Sequence, residues 1–157
     1  MTIAELCIFA SVMLYLLTIA PVKWISVDGA GRYDNARPRD PAFYAGGIRE
    51  RALGAHQNGI EAFPFFAAAV LLAEFRGAPQ NLINELSVLF LIVRTAYVLT
   101  YVGNRPSLRS ILWAIGFLIT VAIFFLPLLR HVLPYMPFLP GLTDVLPGYG
   151  WQPPLHH

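Results

Sequence analysis

Three observations predict a bundle of four membrane-spanning α-helices. Of the 157 residues, 57% are hydrophobic and only 13% are charged, about half the charged share of an average soluble domain. The mean hydropathy of +0.59 leaves too little polar sequence for the shell that a soluble core of this size needs. Four apolar stretches each approach the roughly 20 residues that cross a hydrocarbon core, and short connections join most of them. One compact all-α membrane domain over residues 1–133 follows, with a separate tail at 134–157. The net charge of +2 comes from scattered residues. No basic run or aromatic-interleaved patch is present, which excludes nucleic acid as a partner and leaves the lipid bilayer. The single cysteine, Cys7, lies in the first apolar stretch and reads as a small core residue; alone it allows neither an internal disulfide nor a cysteine metal site.

The first span covers about 3–24. It is uncharged from Leu6 to Val22, with Glu5 before it and Lys23 and Trp24 after it. A signal peptide carries its positive charge on the other side, so this stretch reads as an uncleaved anchor with its N-terminus expected outside. From Ser26 to Gly47 the sequence, including GAGRYDNARPRDP, reads as irregular polar chain. The second span, about 48–75, carries Arg51, His56, Asn58 and Glu61 on its first half. Pro64 removes a backbone donor and, with Gly59 nearby, is expected to bend it. The third, about 82–102, contains Arg94. The fourth, about 108–133, has Ser107 as its expected N-cap and Arg109 in its first turn. The last two connections are tight, as between antiparallel neighbours. Beyond them Pro134, Pro137 and Pro140 recur every three residues among aromatics, the pattern of a loosely ordered interfacial tail. His156 and His157 make a poor metal site, and no metal is expected. Eight cations fall on one side of this topology (Lys23, Arg32, Arg37, Arg39, Arg49, Arg51, Arg105, Arg109) and Arg76 and Arg130 on the other. The cation-rich side is the expected cytoplasmic one, with both termini outside.

Charged groups inside a span are costly unless paired or hydrated, so each is a functional candidate. Arg51, Asn58 and Glu61 share one face of the second helix, and Arg94, Tyr97 and Tyr101 share one face of the third. The structural reading is a buried Glu61–Arg94 ion pair, completed by Asn58 and the tyrosines. Against it stands a surplus of cations, Arg51, Arg94, Arg105 and Arg109, over Glu50 and Glu61. Such a pocket suits an anion. Arg offers a planar fork for carboxylates, Glu holds an ammonium and Asn bonds a peptide group, the needs of a small zwitterionic peptide such as glutathione. A guanidinium beside a thiol would also favour the thiolate.

The run ERALGAHQNGIEAFPF (Glu50 to Phe65), RTAYVLTY (Arg94 to Tyr101) and LRS (Leu108 to Ser110) resembles the MAPEG family, the membrane-associated proteins of eicosanoid and glutathione metabolism. The resemblance spans about 48–131. It implies a homotrimer of four-helix protomers with glutathione as cosubstrate, bound between subunits near the cytosolic face. By position it implies that Arg51, Asn58 and Glu61 contact glutathione from the second helix and Arg94, Tyr97 and Tyr101 from the third. Arg109 matches the arginine thought to stabilise the thiolate, and Ser110 falls beside it. His56 matches a common family histidine, and Lys23 could replace a first-helix arginine. Departures from the pattern are Gly54 and Gln57, where members carry basic residues, and Gly59, where several carry Asp. Tyr97 stands where some members carry His. The specialised eicosanoid activities are therefore not implied, and the short chain and its tail suggest a divergent bacterial branch in the inner membrane.

The reading that follows is a membrane-bound glutathione transferase, with peroxidase activity open to it, in which Arg109 is catalytic and a small lipophilic electrophile arrives from the bilayer. Phe65, Leu112 and Trp113 are the expected apolar lining. The alternative is a non-catalytic scaffold or ligand-binding protein that kept the fold, for which Gly54 and Gln57 speak. A transporter relay through Glu61 and Arg94 is a third class, but the chain lacks the inverted repeat that would favour it.

Overall fold

The computed structural model describes residues 1–24 and 33–132. It is all-α: α1 (Ile3–Trp24), α2 (Pro41–Tyr44), α3 (Gly47–Phe75), α4 (Gln80–Val102) and α5 (Pro106–Val132). The four long helices are long and apolar enough to cross a membrane. The expected tail at 134–157 and the segment 25–32 lie outside the described residues.

Thr2 and Glu5 close the start of α1 reciprocally. The Thr2 hydroxyl accepts from the Glu5 amide at 3.1 Å and the Glu5 carboxylate accepts from the Thr2 amide at 2.7 Å, a capping box. The described part of the connection to α3, residues 33–46, is more regular than its polar sequence suggests. Asp40 accepts from the Ala42 amide at 3.0 Å and, with Pro41 in the first turn, starts the single turn α2. Buried Tyr44 anchors that turn among Ile19, Val22 and Ala52. Burial pushes the Tyr44 phenol above its usual range, so the hydroxyl stays a donor and bonds the Pro38 carbonyl at 3.2 Å. Arg49 lies over the Phe43 ring at 4.2 Å.

α3 runs through Pro64 as one element, with the proline on its exposed face. It ends in a Schellman motif. Gly77, at φ 67°, donates to the Glu74 carbonyl and Ala78 to the Ala73 carbonyl, both at 2.9 Å. α4 ends the same way with Asn104 in the left-handed position, φ 56°. Asn104 donates to Tyr101 at 3.1 Å and Arg105 to Thr100 at 2.9 Å. α5 begins at once, and here the N-cap expectation is corrected. Pro106, not the residue after Ser107, is the first helical residue, and the Arg109 amide donates to the Arg105 carbonyl at 3.0 Å. Proline has no amide to leave unpaired and its φ is already helical, so it displaces Ser107 from the cap.

α3 and α4 form the centre of the bundle. Each packs on α1 and on α5, while α1 and α5 do not touch. Phe66 and Phe90 stack across α3 and α4 at 3.9 Å, and small residues (Ala4, Cys7, Ala69, Ala73) let the backbones approach around them. Cys7 is buried there, as a core residue.

Gly59 and Gly54 show what two of the sequence departures do. A Cβ at Gly59 would fall 2.7 Å from Tyr15 Cγ and 2.8 Å from its Cε1, and that ring is 1% exposed with nowhere to go. A Cβ at Gly54 would meet the Tyr101 hydroxyl, the free end of a half-buried side chain that can swing away. Gly59→Ala is therefore expected to cost about 1–3 kcal/mol of stability, read as a lower unfolding midpoint in detergent. Gly54→Ala should leave that midpoint nearly unchanged. Equal midpoints for the two variants would contradict the difference in packing.

Candidate active site

Helical spacing places Gly54, Gln57, Asn58 and Glu61 on one face of α3, and Tyr97 and Tyr101 on one face of α4. The tight α4–α5 turn brings Arg109, Ser110 and Trp113 against them. These residues line one cavity of about 400 Å3. A second cavity, about 250 Å3, shares Asn58, Glu61 and Trp113 with the first and is walled mainly by Phe65, Phe90 and Phe117. A polar chamber thus opens beside an apolar one.

The polar groups form a ladder. The Arg109 guanidinium lies 4.5 Å from the centre of the Tyr101 ring, Tyr101 meets Tyr97 edge-to-face at 5.6 Å, and Arg94 lies 4.3 Å from the Tyr97 ring. Each cation–π contact contributes about 0.5–2 kcal/mol and orients a guanidinium plane. Arg94 forms the floor. Its Nη2 donates to Asn58 Oδ1 at 3.0 Å. A guanidinium can only donate, so the bond sets the amide orientation, with the Asn58 oxygen toward Arg94 and its NH2 free to donate into the cavity. The Ser110 hydroxyl donates to the Pro106 carbonyl at 3.1 Å, which leaves its oxygen as an acceptor. Glu61 is exposed on the bundle surface and, among the described residues, makes no ion pair.

Of the predicted site residues, Asn58, Glu61, Tyr97, Tyr101, Arg109 and Ser110 line the polar chamber, and Arg94 lines the apolar one beneath it. Arg51 lines neither. Its Nε donates to the Val102 carbonyl at 2.8 Å, closing a carbonyl at the C-terminus of α4, where a cation is favoured. The Glu61–Arg94 ion pair is absent; Arg94 takes Asn58 instead. Leu112 packs against the core cluster rather than the cavity, whereas Phe65 and Trp113 do line the apolar chamber. His56 also points away, its Nδ1 2.9 Å from the Tyr15 carbonyl on α1.

Sequence reading missed two residues behind the site. Gly116 lines the apolar chamber beside the Arg94 stem, where a Cβ would make an ordinary van der Waals contact, 3.6 Å from Arg94 Cδ. Tyr15 reaches the back of Arg94, with its ring 5.9 Å from the guanidinium; a tyrosine in the middle of the first span, one turn after Ser11, was the available signal. Among the described residues no group of three or more His, Cys, Asp or Glu could hold a metal.

No curated protein and no solved structure matches the chain. A model of the MAPEG family matches residues 3–129. That match covers α1, α3, α4 and all but the last three residues of α5, with every residue lining the two chambers, and the chain belongs to the MAPEG family.

Proposed function

We propose that the protein is a membrane-bound glutathione transferase, in which the polar chamber binds glutathione and the apolar chamber admits a lipophilic electrophile from the bilayer. The observation that carries this reading is a single cavity holding a guanidinium (Arg109), a free amide NH2 (Asn58), two phenols and a carboxylate (Glu61), joined through a shared wall to an apolar cavity. Arg109 suits a carboxylate or a thiolate, Glu61 suits the peptide's ammonium, and Asn58 donates to a peptide carbonyl or carboxylate. The family generally uses glutathione, which favours the same ligand.

Arg109 stabilises the thiolate after its proton leaves to water, and the sulfur then forms a bond to the electrophilic carbon while the leaving group departs with its electron pair. With a hydroperoxide the same thiolate would attack oxygen, giving the alcohol and a sulfenic acid that a second glutathione reduces with release of water. Trp113, which lines both chambers and stacks on Phe117 at 5.7 Å, forms the wall between the two reactants.

Assembly as a homotrimer belongs to the same reading, and Glu61 favours a covered surface without fixing the number of subunits. A carboxylate near the middle of a spanning helix, exposed on the surface of the single bundle, cannot face lipid cheaply and needs a neighbouring subunit or a ligand over it. In the same reading the chamber mouth faces the cytoplasm of a bacterial inner membrane and both termini lie outside, an orientation favoured by the cations at the end of α1 (Lys23), the start of α3 (Arg49, Arg51) and the α4–α5 turn with the start of α5 (Arg105, Arg109).

The test is the ultraviolet thiolate absorbance on mixing purified protein with glutathione near neutral pH. A protein-dependent band supports the transferase. Glutathione-induced thermal stabilisation without a band, and without turnover over a broad electrophile panel, supports the ligand-binding scaffold that Gly54 and Gln57 favour.

A further inference from the structure

Arg94 is a buried cation without a counter-ion. It is 1% exposed within α4, and among the described residues no carboxylate lies within 4.0 Å of it. Two aromatic faces, Tyr97 in front and Tyr15 behind, and one acceptor, Asn58 Oδ1, surround it instead. Its Nε has no hydrogen-bond partner, and neither has the hydroxyl of Tyr15. The Tyr15 ring lies 5.9 Å from the Arg94 guanidinium, and Ser11 stands one helical turn before Tyr15 on the same buried face of α1. The Ser11 proton is already donated to the Cys7 carbonyl at 2.8 Å. A phenol both donates and accepts, so Tyr15 can receive the Arg94 Nε–H and donate to the Ser11 oxygen, completing all three groups.

Tyr15 is held firmly enough to act as such a prop. Its ring fills the notch that Gly59 leaves in α3, its edge meets Phe63 at 6.5 Å, and its carbonyl bonds His56 Nδ1 at 2.9 Å. It lines neither chamber, and α1 does not touch α5. Its polar links toward the chambers run through Arg94 and through residues 56–59 of α3.

We propose that Tyr15 is a positioning residue of the ligand chamber: it fixes the Arg94 guanidinium, which in turn keeps the Asn58 NH2 turned toward the ligand. The proposal rests on the glutathione reading for the identity of the ligand, but the linkage itself is a property of the protein alone. It also accounts for the joint presence of Gly59 and Tyr15, since any side chain at 59 would expel the ring that braces Arg94.

The test is a double-mutant cycle on the full-length protein in detergent. Tyr15→Phe keeps the ring in its notch and removes only the hydroxyl. It is expected to weaken glutathione binding about tenfold, the cost of a lost hydrogen bond to a charged group. The rate at saturating glutathione should change less than about twofold, so that KM moves and kcat does not. In an Asn58→Ala background the same substitution should change binding less than about twofold, because the group that Arg94 orients is gone. Equal weakening in both backgrounds, or none in the parent, overturns the proposal. If the parent protein binds no glutathione, the transferase reading fails separately. The linkage is then decided by the side-chain amide resonances of Asn58 in asparagine-labelled protein, assigned by their loss in Asn58→Ala. A shift of those resonances in Tyr15→Phe supports the positioning role, and unchanged resonances overturn it.

Discussion

Arg109→Ala is expected to slow glutathione conjugation about 10²–10³-fold while weakening glutathione binding less than about tenfold. The larger figure is what loss of one well-placed donor to a developing or resident anion costs in a water-poor site. The smaller one reflects the ligand's other contacts, Asn58, Glu61 and the tyrosines, which remain. Arg109 can carry this role because the α4–α5 turn fixes it twice. The Schellman closure at Asn104 and the immediate start of α5 at Pro106 set its backbone, and the Tyr101 ring at 4.5 Å sets its plane. Lys in its place would keep the charge but lose the flat contact with Tyr101, so Arg109→Lys should recover part of the rate and not all of it. The check is steady-state kinetics beside the thiolate absorbance. Parallel loss of rate and affinity would make Arg109 a binding residue only.

Arg94→Met is expected to separate stability from function in the opposite sense to most core substitutions. The guanidinium is almost fully buried and, among the described residues, has no carboxylate to offset its desolvation. Replacing a buried ion pair by apolar side chains is often neutral or stabilising by about 1–4 kcal/mol, and a buried guanidinium without a carboxylate carries the same kind of desolvation cost with less to offset it. The ligand-free variant should therefore unfold at the same temperature or a higher one. Glutathione affinity should nevertheless fall at least about tenfold, because the Asn58 amide is no longer oriented and can turn its oxygen toward the ligand. Such a trade, in which a site costs the fold stability, is common where buried polar groups serve a ligand. Paired thermal unfolding and binding measurements decide it. A destabilised variant with unchanged affinity would make Arg94 a structural residue.

The helices and the partners within the site differ in how far the sequence revealed them. The four spans were legible because a bilayer imposes length and hydropathy on any helix that crosses it, and local residues then end each helix. α1 starts in a Thr2–Glu5 capping box and α3 stops at Gly77 for reasons written within a few residues. The error at Ser107 was also local: a proline at the first helical position outweighs a serine at the cap. α2 was hidden because one turn held by Asp40 and a buried Tyr44 has no periodicity to read.

Helical spacing likewise put Asn58 with Glu61 and Tyr97 with Tyr101, since residues three or four apart share a face whatever the rest of the chain does. Spacing could not say which face meets which, and there the tertiary structure decided. It gave Arg94 to Asn58 rather than Glu61, sent Arg51 to the Val102 carbonyl, and turned Leu112 to the core. It also showed Gly54 and Gly59 to be seats for Tyr101 and Tyr15, where the sequence showed only missing charges. The sequence by itself determined the membrane, the four helices and the cation-rich end, because these follow from transfer energies summed along the chain. Only the packed bundle decided which donors face the chamber, because a hydrogen bond depends on ångström distances between side chains from helices far apart in sequence.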